Sequence, residues 1–124
     1  MKPNLTVEEA AALHGVALAT FKTTGFEDLH PQLRQAEARL EGALQRAGAH
    51  KVEEGWLLPK GRIRYQPANV ELKREEAIPL VVIADLITSL TISSGREYGM
   101  RKALAKATMK LASALERAGV GALA

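Results

Sequence analysis

Residues 5–25 read LTVEEAAALHGVALATFKTTG, and this stretch decides how the N-terminal half of the chain folds. Thr6 precedes Glu9 by three residues, which is the spacing of a capping box, in which each side chain accepts a hydrogen bond from the other residue's backbone N–H. A helix is therefore predicted to begin there. Glycine readily adopts the left-handed conformation that ends helices, so this helix is expected to end near Gly15. A second short helix is then expected over residues 17–23.

Two short helices joined at a glycine form a helix-turn-helix when small and apolar residues let the second helix cross closely over the first. Such residues follow in the required order, as Ala11, Gly15, Val16 and Phe21. The stretch resembles the helix-turn-helix of the excisionase-like and MerR-like DNA-binding domains. The positions that match the family pattern are Glu8, Glu9, Ala10, Ala11, Leu13, Gly15, Val16, Thr20 and Phe21.

The resemblance implies that the second helix enters the major groove of double-stranded DNA. The polar contacts that it implies are Thr20, Lys22, Thr23 and Thr24. Three positions depart from the pattern: His14 replaces an apolar residue, Ala17 replaces a serine cap, and Leu18 stands where a polar residue commonly meets DNA. The alternative interpretation is a pair of packed core helices with no role in DNA binding.

The middle of the chain predicts one long helix and a β-hairpin. Apolar residues recur at helical spacing over residues 31–47. A Pro-Lys-Gly turn signal at residues 59–61 then separates an apolar run from a segment that alternates polar and apolar residues, which indicates a hairpin. Its polar face would carry Lys60, Arg62 and Arg64, which in a winged helix-turn-helix would contact DNA phosphates. A solvated edge strand protected by its charges is the alternative, and residues 70–73 are a candidate for one more short strand.

The C-terminal third predicts two further helices. Residues 79–91 are apolar almost all round, and residues 97–118 carry apolar side chains alternately three and four positions apart. A helix that is apolar on most sides must be buried in a core or against a second chain. We therefore expect residues 79–118 to form a homodimer interface.

The charge is unevenly distributed along a chain of 124 residues with a formal net charge of +3. Residues 96–124 hold six basic and two acidic groups, so the basic excess is C-terminal. Lys102, Lys106 and Lys110 recur every four residues and share one helix face. We favour a solvated face of an amphipathic helix for this row, with a second phosphate-binding surface as the alternative.

The sequence contains no pattern typical of an enzyme. The absence of cysteine excludes disulfides, thiolate zinc sites and thiol nucleophiles. The histidines, His14, His30 and His50, are too far apart for a metal-binding pair, and no nucleophile elbow or phosphate loop occurs. Asp85 is an ionisable group in an apolar segment, for which a structural role is expected, with a catalytic role as the alternative. We predict no catalysis, no cofactor and no metal, and, without a signal peptide or a membrane span, a cytoplasmic protein.

These patterns predict a mainly α-helical protein with a small β-hairpin. Residues 1–75 would form a helix-turn-helix domain, with the hairpin as a candidate wing, and residues 76–124 a helical hairpin for dimerisation. The expected function is sequence-specific binding of double-stranded DNA, as a repressor-type transcriptional regulator of bacterial, phage or plasmid origin. The alternative is a helical protein–protein interaction or adaptor module whose helix-turn-helix does not bind DNA. The net charge of −1 over residues 1–50 and the uncharged Leu18 support that alternative.

Overall fold

The computed structural model of the chain describes residues 1–52, 55–57, 65–90 and 98–119. Its four helices are α1 (Val7–Phe21), α2 (His30–Arg46), α3 (Arg74–Leu90) and α4 (Tyr98–Arg117), and one 3₁₀ turn, Glu27–Leu29, precedes α2. The strands β1 (His50–Val52) and β2 (Gly55–Leu57) form a two-stranded antiparallel sheet. The predicted class, mainly helical with a small hairpin, is confirmed.

Helix α1 begins as predicted but does not break at Gly15. The Thr6 side chain accepts a hydrogen bond from the Glu9 N–H (3.2 Å), and the Glu9 carboxylate accepts one from the Thr6 N–H (2.9 Å). The helix then continues through Gly15 to Phe21, so the predicted turn and the separate helix over residues 17–23 are wrong. Within residues 5–25, the glycine with a positive φ is Gly25, at 104°.

The reason for the unbroken helix is the continuity of its buried face. Leu13 and Val16 flank the glycine and are both buried, and Thr20 continues the same face one turn later. A turn at Gly15 would remove part of that face from the core. Keeping the exposed Gly15 within the helix costs only the modest difference in helix propensity between glycine and alanine.

The hairpin that the structure describes lies earlier in the chain than the predicted one. Strand β1 pairs with β2 in the register His50 to Leu57, Lys51 to Trp56 and Val52 to Gly55, so the chain reverses between residues 52 and 55. The turn predicted at residues 59–61 is not among the described residues. Residues 58–64, which include Lys60, Arg62 and Arg64, lie outside the described residues. The short strand predicted over residues 70–73 is wrong: residues 70–72 form no strand, and α3 begins right after Lys73.

The four helices enclose one hydrophobic core. Each helix packs on the next along the chain, and α4 packs back on α1, which closes the ring. The buried residues of this core come from both sides of residue 75, between Leu5 and Leu115. The domain boundary between residues 75 and 76 stays a prediction. No helix in the described part of the chain combines the length and the hydrophobicity that spanning a membrane requires.

The apolar residues predicted to pair α4 with a second chain pack within this chain instead. The apolar row of α4 that was predicted to pair with a second subunit includes Leu104 and Leu111, and both are buried in the shared core. Contrary to the prediction, these side chains are therefore not available to a second subunit. Helix α3 begins at Arg74, five residues before the predicted start, because the Glu76 carboxylate accepts a hydrogen bond from the Lys73 N–H (2.8 Å). Its exposed side, including Asp85, makes it amphipathic and not apolar all round.

Replacing Gly15 with alanine tests the unbroken helix. A Cβ at this exposed position would meet no atom within 4 Å. We expect Gly15→Ala to raise the free energy of unfolding by about 0.5–1 kcal/mol, because alanine has the higher helix propensity. The matched control is Gly25→Ala, which should lower it by about 1 kcal/mol, since alanine is strained at positive φ. Urea unfolding measures both, and a destabilising Gly15→Ala would contradict a continuous helix.

Candidate functional site

The residues predicted to read DNA bases divide into one buried and three exposed side chains. Thr20 is only 3% exposed, and its hydroxyl donates a hydrogen bond to the Val16 carbonyl (2.8 Å). It therefore serves the helix, and its prediction as a base contact is wrong. Lys22, Thr23 and Thr24 are exposed just after α1 ends, although the Thr23 hydroxyl donates to the Ala19 carbonyl (2.9 Å).

Two acidic groups lie close to this exposed segment in the sequence. Glu27 and Asp28 follow Thr24 after two intervening residues and are also exposed. Hydrogen bonds from the backbone N–H groups of Glu27 and Gly25 lower the pKa of the Glu27 carboxyl, so this group is ionised at neutral pH. The Arg34 guanidinium, 4.9 Å from the centre of the Phe21 ring, provides a further cation nearby. The segment therefore presents mixed charge and a weak attraction for phosphate.

A groove of about 590 Å³ lies between the start of α1 and α4. Its lining is Thr6, Glu8, Glu9, Tyr65, Lys102, Ala103, Lys106, Met109 and Lys110. The lysine row recognised in the sequence forms one of its walls. Tyr65 and Met109, which are 65% and 70% exposed, add apolar surface at its edge.

The three lysines of this row differ in their partners. The Lys110 ammonium donates to the Glu9 carboxylate at 2.7 Å, and that carboxylate is almost fully buried. Lys110 therefore compensates a charge that helix capping has brought into the core. Lys102 and Lys106 are exposed and form no ion pair with another residue that the structure describes. These two cations remain available to an anionic ligand.

A second polar groove, of about 400 Å³, lies beside α2 and is lined by Lys2, Ala38, Arg39, Gly42, Arg46, Asn69 and Glu71. One of its three cations already has a partner, because the Arg39 Nε lies 2.8 Å from the buried Glu76 carboxylate. That carboxylate also caps the start of α3. The arrangement joins α2 to α3, and we assign it to the fold.

A hydrogen-bonded chain of side chains connects α1, α2 and the hairpin through His14. The His14 ring is fully buried, the Trp56 indole N–H donates to its Nδ1 (3.0 Å), and its Nε2 lies 3.0 Å from the Glu37 carboxylate. Because Nδ1 accepts a hydrogen bond, the proton of the neutral ring is on Nε2 and is donated to Glu37. Burial lowers the pKa of His14, and the two neighbouring carboxylates, Glu37 and Glu41, act in the opposite direction.

The same cluster has the composition of a cation site, since ligand atoms of His14, Glu37 and Glu41 lie within 4.8 Å of one another. A cation on Nε2 would require the ring proton to move to Nδ1. Nδ1 would then point an N–H at the indole N–H of Trp56, only 3.0 Å away. The hydrogen-bond pattern therefore fits a neutral structural histidine and not a metal ligand.

Comparison with known proteins adds no family to this description. No protein-family model, curated protein sequence or solved structure matches the chain. The conclusions about function therefore depend on the described side chains and on the sequence itself.

The different roles of two lysines on α4 can be tested by removing each charge separately. Lys110→Met should lower the free energy of unfolding by about 2 kcal/mol, because it leaves the buried Glu9 carboxylate without its counter-charge, and the partial exposure of Lys110 moderates the loss. Lys106→Met, one turn away and exposed, should change it by less than about 0.5 kcal/mol. Equal effects in thermal or urea unfolding would contradict this division.

Proposed function

We propose that this chain binds double-stranded DNA and contacts the phosphate backbone through Lys102 and Lys106 of α4. The observation that supports the proposal is a pair of exposed ammonium groups, on one wall of the groove beside α1, that form no ion pair with any described residue, although Glu8 and Glu9 also line this groove. Successive turns of a helix place such groups on one face, where they act together on a polyanion. Lys110 supports the same wall but is neutralised by Glu9.

The distribution of charge along the sequence supports the same side of the molecule. Residues 96–124, which include α4, carry the basic excess of the chain. Tyr65 lines the groove, and in the sequence it directly follows the basic run that contains Lys60, Arg62 and Arg64. We include these three residues in the proposal as phosphate contacts on the basis of the sequence.

Sequence specificity is a further part of the proposal and needs different groups. Lysine–phosphate contacts position a protein on DNA but do not distinguish base pairs. Of the residues predicted to contact DNA bases, three are exposed: Lys22, Thr23 and Thr24. If they reach base edges, the protein is a small sequence-specific regulator of the repressor type. If they do not, binding is non-specific.

Titration of a fluorescent duplex at two salt concentrations tests the proposal. We expect binding that weakens steeply with salt, and we expect Lys102→Gln/Lys106→Gln to reduce the slope of log K against log salt by about two, since each phosphate contact contributes about 0.9. The matched control, Lys73→Gln/Arg74→Gln, removes the same charge from exposed positions at the start of α3 and should retain the slope.

Two further variants separate the remaining contacts. Lys60→Gln/Arg62→Gln/Arg64→Gln should weaken binding to all duplexes alike, whereas Lys22→Gln should reduce the preference for a site selected from a random DNA pool. Absence of binding by the wild-type chain at low salt would overturn the proposal. An equal loss in the control double variant would assign the effect to net charge and not to α4.

A second candidate function, protein–protein association, is favoured by the exposed side of α3. Val82 and Leu86, one turn apart, are 49% and 43% exposed, and Ile78 precedes them on the same side. We propose a second copy of this chain as the occupant, because an apolar row of this kind can pack on itself across a two-fold axis while the exposed Asp85 lies beside it. A dimer would also supply the two half-sites that many DNA-binding proteins require.

Sedimentation at several protein concentrations tests the dimer. The wild-type chain should be dimeric at about 50 μM, in the range of moderate affinities, and Leu86→Lys should make it monomeric because a charge in the apolar row is unpaired on association. The control is Val52→Lys, which changes an equally exposed apolar residue of β1 and should leave the dimer intact. A monomeric wild-type chain would contradict the proposal.

A further inference from the structure

In the described part of the hairpin, Trp56 contacts the buried His14 ring of α1 and donates a hydrogen bond to it. The Trp56 ring meets the His14 ring edge-on, with centroids 5.2 Å apart and planes at 85°. Its indole N–H donates to His14 Nδ1, and the ring also packs against the hydrophobic core. On β1, Lys51 is exposed and donates to Glu41 of α2 at 3.1 Å. The contact through His14 is therefore the buried part of the attachment.

We propose that His14 is a pH-sensitive latch that holds the hairpin on α1 and α2 when its ring is neutral and releases β2 when its ring is protonated. The geometry of the two ring nitrogens carries this inference. In the neutral ring Nδ1 accepts from Trp56 while Nε2 donates to Glu37. Protonation places a hydrogen on Nδ1 as well, so that two N–H donors face each other at 3.0 Å. The hydrogen bond between the Trp56 indole and Nδ1 is then lost, and the two N–H groups repel each other.

The charged groups around His14 determine how easily it is protonated. Glu37 and Glu41 of α2 favour the imidazolium, whereas Lys51 of β1 and the burial of the ring oppose it. Trp56 of β2 adds an N–H dipole that points at Nδ1 and also opposes protonation. Burial is the largest of these effects, so the pKa of His14 lies below its ordinary value of 6.5.

The sign of the pH dependence follows from that direction. A histidine whose pKa is lower in the folded than in the unfolded state binds fewer protons when folded, so the folded state loses stability as the pH falls from 6.5 through the folded-state pKa. Above 6.5 the contribution is fully present. Release of β2 would reduce this loss of stability without unfolding the helices. The imidazolium can then keep its hydrogen bond to Glu37 while water replaces the indole at Nδ1.

The chain contains a single tryptophan, which gives a direct readout. In a ¹⁵N–¹H spectrum recorded from about pH 8 to about pH 5, the one indole N–H signal should move upfield with a midpoint below 6.5, in step with the His14 ring signals. Quenching of tryptophan emission by acrylamide should rise by about twofold or more, because the indole becomes exposed. Far-ultraviolet circular dichroism should retain its helical signal across the transition.

Three variants make the test specific. His14→Gln should abolish the pH dependence of the indole signal, while His30→Gln and His50→Gln should leave it unchanged. Glu37→Gln removes the closest carboxylate and should lower the midpoint, which tests the latch even if His14→Gln does not fold. An indole signal that does not change while His14 titrates would overturn the proposal, as would loss of helical signal in parallel with release. The test does not involve DNA, so it stands independently of the proposed function.

Discussion

The buried carboxylate of Glu9 links the start of α1 to α4, the two helices whose contact closes the arrangement of the four helices. It accepts the backbone N–H of Thr6, which starts α1, and the ammonium of Lys110, which belongs to the last helix. A capping interaction that is local in sequence is thereby linked to a contact that spans 101 residues. Because the carboxylate is buried, its ionised form needs both partners, and the end of the chain must return to α1 to supply one of them.

The same local signal shows what could be predicted from the sequence and what could not. The capping box placed the start of α1 correctly, and the periodicity of residues 31–47 and 97–118 located α2 and α4 to within a residue or two. The position of the turn was predicted at the wrong glycine. Gly15 and Gly25 are indistinguishable as isolated residues, and only the buried row from Leu13 to Thr20 decides which of them lies within a helix.

The candidate site shows a similar division between local and tertiary information. The spacing of Lys102, Lys106 and Lys110 placed them on one helix face, but it did not show that Lys110 is committed to Glu9. His14 was noted as a departure from an apolar pattern, and its two partners come from residues 23 and 42 positions away. Thr20 had a residue type suited to a DNA contact, but the unbroken α1 places its side chain on the buried face of the helix. Partners distant in sequence leave no periodic trace, so these roles emerge only from packing.

Because only one of the three α4 lysines pairs with a buried carboxylate, the stability of the fold and the strength of a polyanion contact depend on different residues. One lysine contributes to folding, and its two neighbours on the same face are free to vary without removing a counter-charge from the core. Substitution at positions 102 and 106 can therefore adjust the strength of any polyanion contact over a wide range while the fold remains the same. Evolutionary change in affinity alone would therefore alter positions 102 and 106 on this helix face. It would retain Lys110, because the fold needs that charge beside Glu9.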